Sequence, residues 1–145
     1  MHEKLFTPGP TEVRTELLKE LSTAQIHHRS GKFSELYDEI QDNLKKLLFT
    51  DNPVFLFTSS STGAMEAAVT NGVKDRCLNF VNGAFSNRWH KITKKNGIAC
   101  DKVEVPWDQP ITPEMVETEL SSGNYDAVTV VLNETSTGMM NPIKE

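Results

Sequence analysis

Thr58-Ser59-Ser60-Ser61-Thr62-Gly63 runs straight into Ala64-Met65-Glu66-Ala67-Ala68-Val69 and follows Val54-Phe55-Leu56-Phe57. The stretch reads as strand, hydroxyl-rich loop, helix. The start of a helix carries unpaired N–H groups and the positive end of its dipole, so it suits an anion. Hydroxyls placed there can donate to phosphate oxygens. Ser and Thr are also favoured N-caps. One cap uses one hydroxyl, however, and here five hydroxyl residues stand in a row. No Gly-Lys-Ser/Thr follows and no GxGxxG is present, so this is neither a Walker loop nor a dinucleotide fingerprint.

The texture continues downstream. The spacing predicts strands over 54–57, 77–81, 102–105 and 127–132, and helices over 85–95 and 113–120, the last with Pro113 at its first position. Strands alternating with helices argue for an α/β layer with a mainly parallel sheet. In such sheets ligands gather beyond the carboxyl ends of the strands. Polar segments occupy those places at 58–63, 82–87 and 133–138. Upstream, residues 12–21 read as a short helix. The segment 25–32 breaks the pattern with His27, His28, Arg29 and Gly31. From Phe33 onward, Leu36, Tyr37, Ile40, Leu44, Leu47 and Leu48 recur at three- and four-residue steps. That is an amphipathic helix of about four turns with a charged, solvated opposite face.

Composition narrows the classes of function. Lys and Arg number 15 against 20 Asp and Glu, a net charge of −5, which is the wrong sign for a nucleic-acid binder. No apolar run approaches a membrane span, and residues 1–10 lack the apolar core of a signal peptide. Cys77 and Cys100 are the only cysteines and make neither a zinc knuckle nor a disulfide framework. His27 and His28 are neighbours, which seldom point the same way, and no other ligand spacing completes a metal site. His2 and His90 add no pattern. The expectation is a cytoplasmic protein without a metal.

The hydroxyl stretch and its surroundings resemble the class V aminotransferases, enzymes of fold type I that depend on pyridoxal 5′-phosphate (PLP). Thr58-Ser-Ser-Ser-Thr-Gly-Ala-Met-Glu-Ala67 is similar to the family's phosphate cup. Thr7-Pro-Gly-Pro-Thr11, His28-Arg-Ser30 with Phe33-Ser-Glu-Leu-Tyr37, Asn82-Gly-Ala-Phe-Ser-Asn-Arg88 and Glu134-Thr-Ser-Thr-Gly138 match further segments in the same order. Relatives of this kind include the alanine–glyoxylate, serine–pyruvate and serine–glyoxylate aminotransferases.

The resemblance implies roles residue by residue. Ser60, Ser61 and Thr62 would hold the phosphate, with Ser61 standing where the family often has glycine. Phe85 falls where an aromatic ring stacks on the pyridine; by itself it reads as a core residue on a first helical turn. Trp89, one turn on, is the rival for that stacking place, but its spacing fits the buried side of the helix and it is read as core. Thr135 falls where a hydroxyl meets the cofactor's phenolic oxygen, and otherwise reads as a turn residue. Glu134 is read as structural. Gly9 would leave room for substrate and His28 would lie near the site entrance and subunit interface.

The resemblance also implies what these residues lack. The aldimine lysine, the aspartate that pairs with the pyridine nitrogen and the arginine that grips the substrate carboxylate all come after the Glu-Thr-Ser-Thr-Gly segment in the family. Lys144 lies too close to that segment to serve. The expectation is therefore the N-terminal part of a PLP-binding large domain, with an arm and short helix over 1–21 and the first part of the domain over 22–145, inactive alone. A homodimer acting on a small amino acid and a 2-oxo acid is implied for the whole enzyme, with neither nucleic acid nor membrane as partner. Alternatives are a non-catalytic assembly module of the same fold, a cysteine desulfurase or a phosphonate transaminase. A sheet with an open edge should also promote self-association.

Overall fold

The computed structural model describes residues 3–144, in two units, Met1–Leu56 and Phe57–Glu145. The first unit holds helix α1 (Thr15–Glu20) and helix α2 (Gly31–Leu48). α1 is shorter than the span 12–21 expected of it. The Glu12 carboxylate accepts from the N–H of Leu5 at 3.2 Å, and Arg14 is extended, so the helix starts only beyond it. α2 follows its predicted period. Ser30 caps it by accepting from Phe33 N at 3.2 Å, which satisfies one orphan donor. It ends at Phe49, which is left-handed at φ 53°.

The strand expected over 54–57 does not form. The Gln41 side-chain amide donates to Val54 O at 2.7 Å and accepts from Val54 N at 3.1 Å. Both backbone groups of Val54 are thus occupied, and among the described residues no strand pairs with the segment that follows. Phe55 is 77% exposed.

The second unit is built on a parallel sheet. Strand β1 (Arg76–Val81) lies between β2 (Ala99–Glu104) and β3 (Ala127–Thr129). Helices α3 (Ser61–Gly72), α4 (Ala84–Lys95) and α5 (Pro113–Ser121) accompany it. α4 packs on β1 and β2, and α3 packs on α4. Alternation along β1 divides its side chains between two faces. Leu78 and Phe80 are buried with Val105 and Ile111 and pack against Met115 and Val116 of α5. Cys77 and Asn79 point to the face covered by α4, where Asn79 meets His90. This is the expected α/β fold with a parallel sheet flanked by helices.

β2 runs earlier than the expected 102–105, and β3 stops well short of 132. Beyond Thr129 the chain leaves β1 and takes a different partner. Asn141 donates from its side chain to Val131 O at 2.7 Å and from its backbone to Leu132 O at 2.7 Å. The hairpin β4 (Asn133–Glu134) with β5 (Met139–Met140), which the sequence reading lacks, follows directly. Its turn closes with Gly138 N on Glu134 O at 2.9 Å. Gly138 has φ 72°, where a side chain would be strained.

Candidate functional site

α3 begins at Ser61, inside the hydroxyl run that reads as loop, so Ser61 and Thr62 belong to its first turn. Ser60 is the N-cap residue in extended conformation, yet its side chain makes no capping bond. The first-turn N–H groups are therefore not consumed by a hydroxyl. Ser61 opens the helix in ordinary right-handed geometry; Phe49 is the one non-glycine residue with positive φ among those described. A serine at this place therefore needs no glycine-like backbone. A Cβ at Gly63 would meet Ser59 Oγ, so a larger residue there would require that hydroxyl to turn away. Ser59 in turn donates its hydroxyl to Ser60 O at 3.0 Å.

Across from α3 stands the start of α4. It is anchored by Glu134, which is fully buried. The carboxylate accepts from Ser86 N at 2.7 Å, Ser86 Oγ at 2.8 Å, Phe85 N at 3.2 Å and Ser136 Oγ at 2.6 Å. A carboxylate on the first N–H groups of a helix also meets the positive end of the dipole. Burial pulls the Glu134 carboxyl upward, but the hydrogen bonds from Ser136 and Ser86 outweigh it and hold it below the usual range. Glu134 is structural, as expected, through these hydrogen bonds. The residue joins the hairpin to α4 and so fixes Phe85 relative to Thr135.

The segments meet at a cleft of about 380 Å³. Ser60, Ser61, Thr62, Phe85 and Thr135 all line it, together with Met65, Arg88, Trp89, Val131 and Asn133. The five residues picked from the sequence for the cofactor thus come together. Phe85 is half-buried on the wall of the cleft. Trp89, read as core, is half-buried and lines the same wall. The sequence reading gives Arg88 no role of its own, though residues 85, 88 and 89 follow the three- and four-residue spacing that puts side chains on one helix face. Its Nη1 donates to Thr62 Oγ1 at 3.4 Å and its guanidinium lies 5.3 Å from the Phe85 ring centre.

Gly9 and His28 belong to the first unit. A Cβ at Gly9 would meet nothing within 4 Å, so no neighbour there demands glycine. His28 is exposed, and its ring stacks on that of His27 at 4.8 Å. The two rings therefore do lie side by side, against the expectation for neighbouring residues. Among the described residues no three His, Cys, Asp or Glu side chains gather to hold a metal. His2 lies outside the described residues. His90 has a partner the sequence did not disclose: its Nδ1 is 3.2 Å from Asn79 Oδ1 and 3.8 Å from Cys100 Sγ. Burial, with Lys102 and Lys94 nearby, holds the His90 pKa below the usual imidazole value. Among the described residues no helix is long and apolar enough to cross a membrane.

Two buried amides pair elsewhere in the same unit. Asn82 Nδ2 donates to Asn141 Oδ1 at 3.0 Å and to Gln109 O at 3.2 Å, while Asn141 Oδ1 also accepts from Ile111 N at 2.8 Å. Two amides thereby join the end of β1, the chain leading into α5 and the segment after β5. No local sequence signal foretold this pairing.

Residues 7–145 match the family model described as aminotransferase class-V. An uncharacterised aminotransferase of Methanocaldococcus jannaschii is 42% identical over 146 residues, covering 97% of this chain and 37% of the relative. The L-aspartate–glyoxylate aminotransferase of Paracoccus denitrificans is 35% identical over 96% of this chain and 37% of its own length. Among solved structures, the alanine–glyoxylate aminotransferase of a Nostoc species superposes with a TM-score of 0.86 at 29% identity, over 98% of this chain and 40% of that one. The chain thus spans about two fifths of the length of the relatives it matches.

Proposed function

The chain belongs to the class V aminotransferase family, and from that premise we propose that its cleft is the phosphate-holding side of a PLP site. The single observation that carries the reading is the gathering of Ser60, Ser61, Thr62, Phe85 and Thr135 around one cleft. The donor set fits the group. An uncapped helix start with hydroxyls offers N–H and O–H donors to a phosphate, and a flat apolar ring faces them across the cleft.

Ser60, Ser61 and Thr62 would bind the phosphate oxygens. Phe85 would cover one face of the pyridine ring and keep water from it. The Thr135 hydroxyl would donate to the phenolic oxygen. Bound there, PLP supplies an electron sink for charge developing at a substrate α-carbon. Glu134 keeps the α4 wall and the hairpin in register while this happens.

For the whole enzyme we propose transfer of an amino group from a small amino acid to a 2-oxo acid such as glyoxylate. The activities named for the Paracoccus and Nostoc relatives support that choice. Gly9 and His28 are proposed on the substrate side, and a homodimer as the working assembly. No lysine lines the cleft among the described residues, so the 145 residues by themselves are proposed not to transaminate.

Borohydride reduction of the PLP-treated chain, followed by peptide mass mapping, tests this. The expected result is PLP binding that S60A and T62V weaken, with no single lysine labelled. Binding untouched by both substitutions would overturn the cup. One specifically reduced lysine would overturn the claim that these residues alone lack the catalytic amine.

A further inference from the structure

Arg88 is the one ionised side chain among the residues that line the cleft. It stands on α4 between the two aromatic residues of that wall. Its side chain crosses to the opposite wall, where Nη1 donates to Thr62 Oγ1 at 3.4 Å. On the way its guanidinium lies 5.3 Å from the Phe85 ring centre, within the range of a cation–π contact.

We propose that Arg88 is a positioning residue of the phosphate cup, occupying the acceptor side of the Thr62 hydroxyl and steadying the Phe85 ring. The proposal rests on reading the cleft as a PLP site. A hydroxyl has one proton to give and two lone pairs to offer, and a guanidinium can only donate. Arg88 therefore takes a lone pair of Thr62 and leaves its proton for another acceptor. No hydrogen bond among the described residues uses that proton. Ser59 is the contrast in the same loop, with its proton already given to Ser60 O. A hydroxyl that accepts from a cation is also a stronger donor, because hydrogen bonds in a chain polarise one another. Arg88 thus makes Thr62 the member of the loop best disposed to donate to a dianionic phosphate. Lysine could supply the charge but neither the plane for Phe85 nor the fork.

The test is equilibrium binding of pyridoxine 5′-phosphate and of pyridoxine to the full chain, followed by tryptophan fluorescence. Both lack the aldehyde, so neither forms an imine with surface lysines. The quantity read is the ratio of the two affinities, which reports the phosphate alone. R88Q is expected to lower the ratio by about tenfold, as losing a charge-assisted hydrogen bond would. T62V should lower it as much, and R88Q with T62V no further than T62V alone. R88K should fall between R88Q and the wild type. Far-UV circular dichroism checks the fold of each variant.

An unchanged ratio in R88Q, or R88Q and T62V effects that multiply, overturns the role of Arg88 while the cup stands. A wild-type ratio in R88K overturns the contribution of the planar contact. A wild-type chain that does not prefer the phosphate form overturns the cup itself and the role of Arg88 with it.

Discussion

The carboxylate of Glu134 accepts both the backbone N–H and the hydroxyl of Ser86, at 2.7 and 2.8 Å, across 48 residues of sequence. This double contact turns a hairpin and a helix start into one rigid wall of the cleft. Neither residue need touch a ligand for the site to depend on them.

The first prediction follows from that wall. Glu134→Ala leaves the N–H groups of Phe85 and Ser86 without their acceptor inside the protein. The cost is expected to be about 3 kcal/mol, typical of stranding buried donors that faced a charge. Thermal or urea unfolding measures it. The pH dependence has a definite sign. The folded Glu134 carboxyl sits below its ordinary value of 4.5, so its stabilisation is complete above that pH and is lost as the pH falls from there through the folded value. Glu134→Ala should remove that part of the acid sensitivity.

Gly83 is bounded by the same carboxylate. Its φ is 173°, extended backbone that any residue adopts, so conformation does not require glycine there. Space does. A Cβ would run into Glu134 Cδ and Cγ and lie 2.7 Å from Ser136 Oγ. Gly83→Ala is expected to destabilise by about 2 kcal/mol through overpacking. It should also weaken PLP binding, because Glu134 must move and Phe85 moves with it. Unfolding curves and a PLP titration check the two effects together; wild-type values in both would show that the wall yields without cost.

The cysteines should differ in reactivity. Cys77 and Cys100 are register partners on neighbouring strands and both are free thiols. Burial, then the neighbouring Cys100, pushes the Cys77 thiol up to about 11. At pH 8 only about one part in a thousand is thiolate. Cys100 is also raised by burial, but it is only partly covered. Under native conditions a disulfide reagent should modify Cys100 slowly and Cys77 only after denaturant is added. Mass mapping after timed reaction distinguishes the two; equal rates would contradict the burial of Cys77.

The period of α2, the Pro113 start of α5 and the hydroxyl loop before α3 are local signals, and all three elements form where those signals lie. The five cofactor candidates were recognisable through the family resemblance, and each sits near the end of a strand or the start of a helix. Such ends converge on one side of a parallel sheet. Arg88 and Trp89 were within reach of the same reasoning through their helical spacing from Phe85.

Other features had no local signal. Residues 54–57 have every mark of a strand, but a strand exists only where a ladder partner accepts it. Here the Gln41 amide takes both backbone groups of Val54. β3 ends at Thr129, and soon after it the carbonyls of Val131 and Leu132 are taken by Asn141. The sequence by itself determined the α/β class, which rests on short-range periodicity, and through its motifs the family resemblance, which implied the residues around the cleft. Only the tertiary structure decided where strands end, why Gly83 must be small and what Glu134 and Arg88 hold, because each depends on a side chain that arrives from elsewhere in the sequence to claim a backbone or hydroxyl partner.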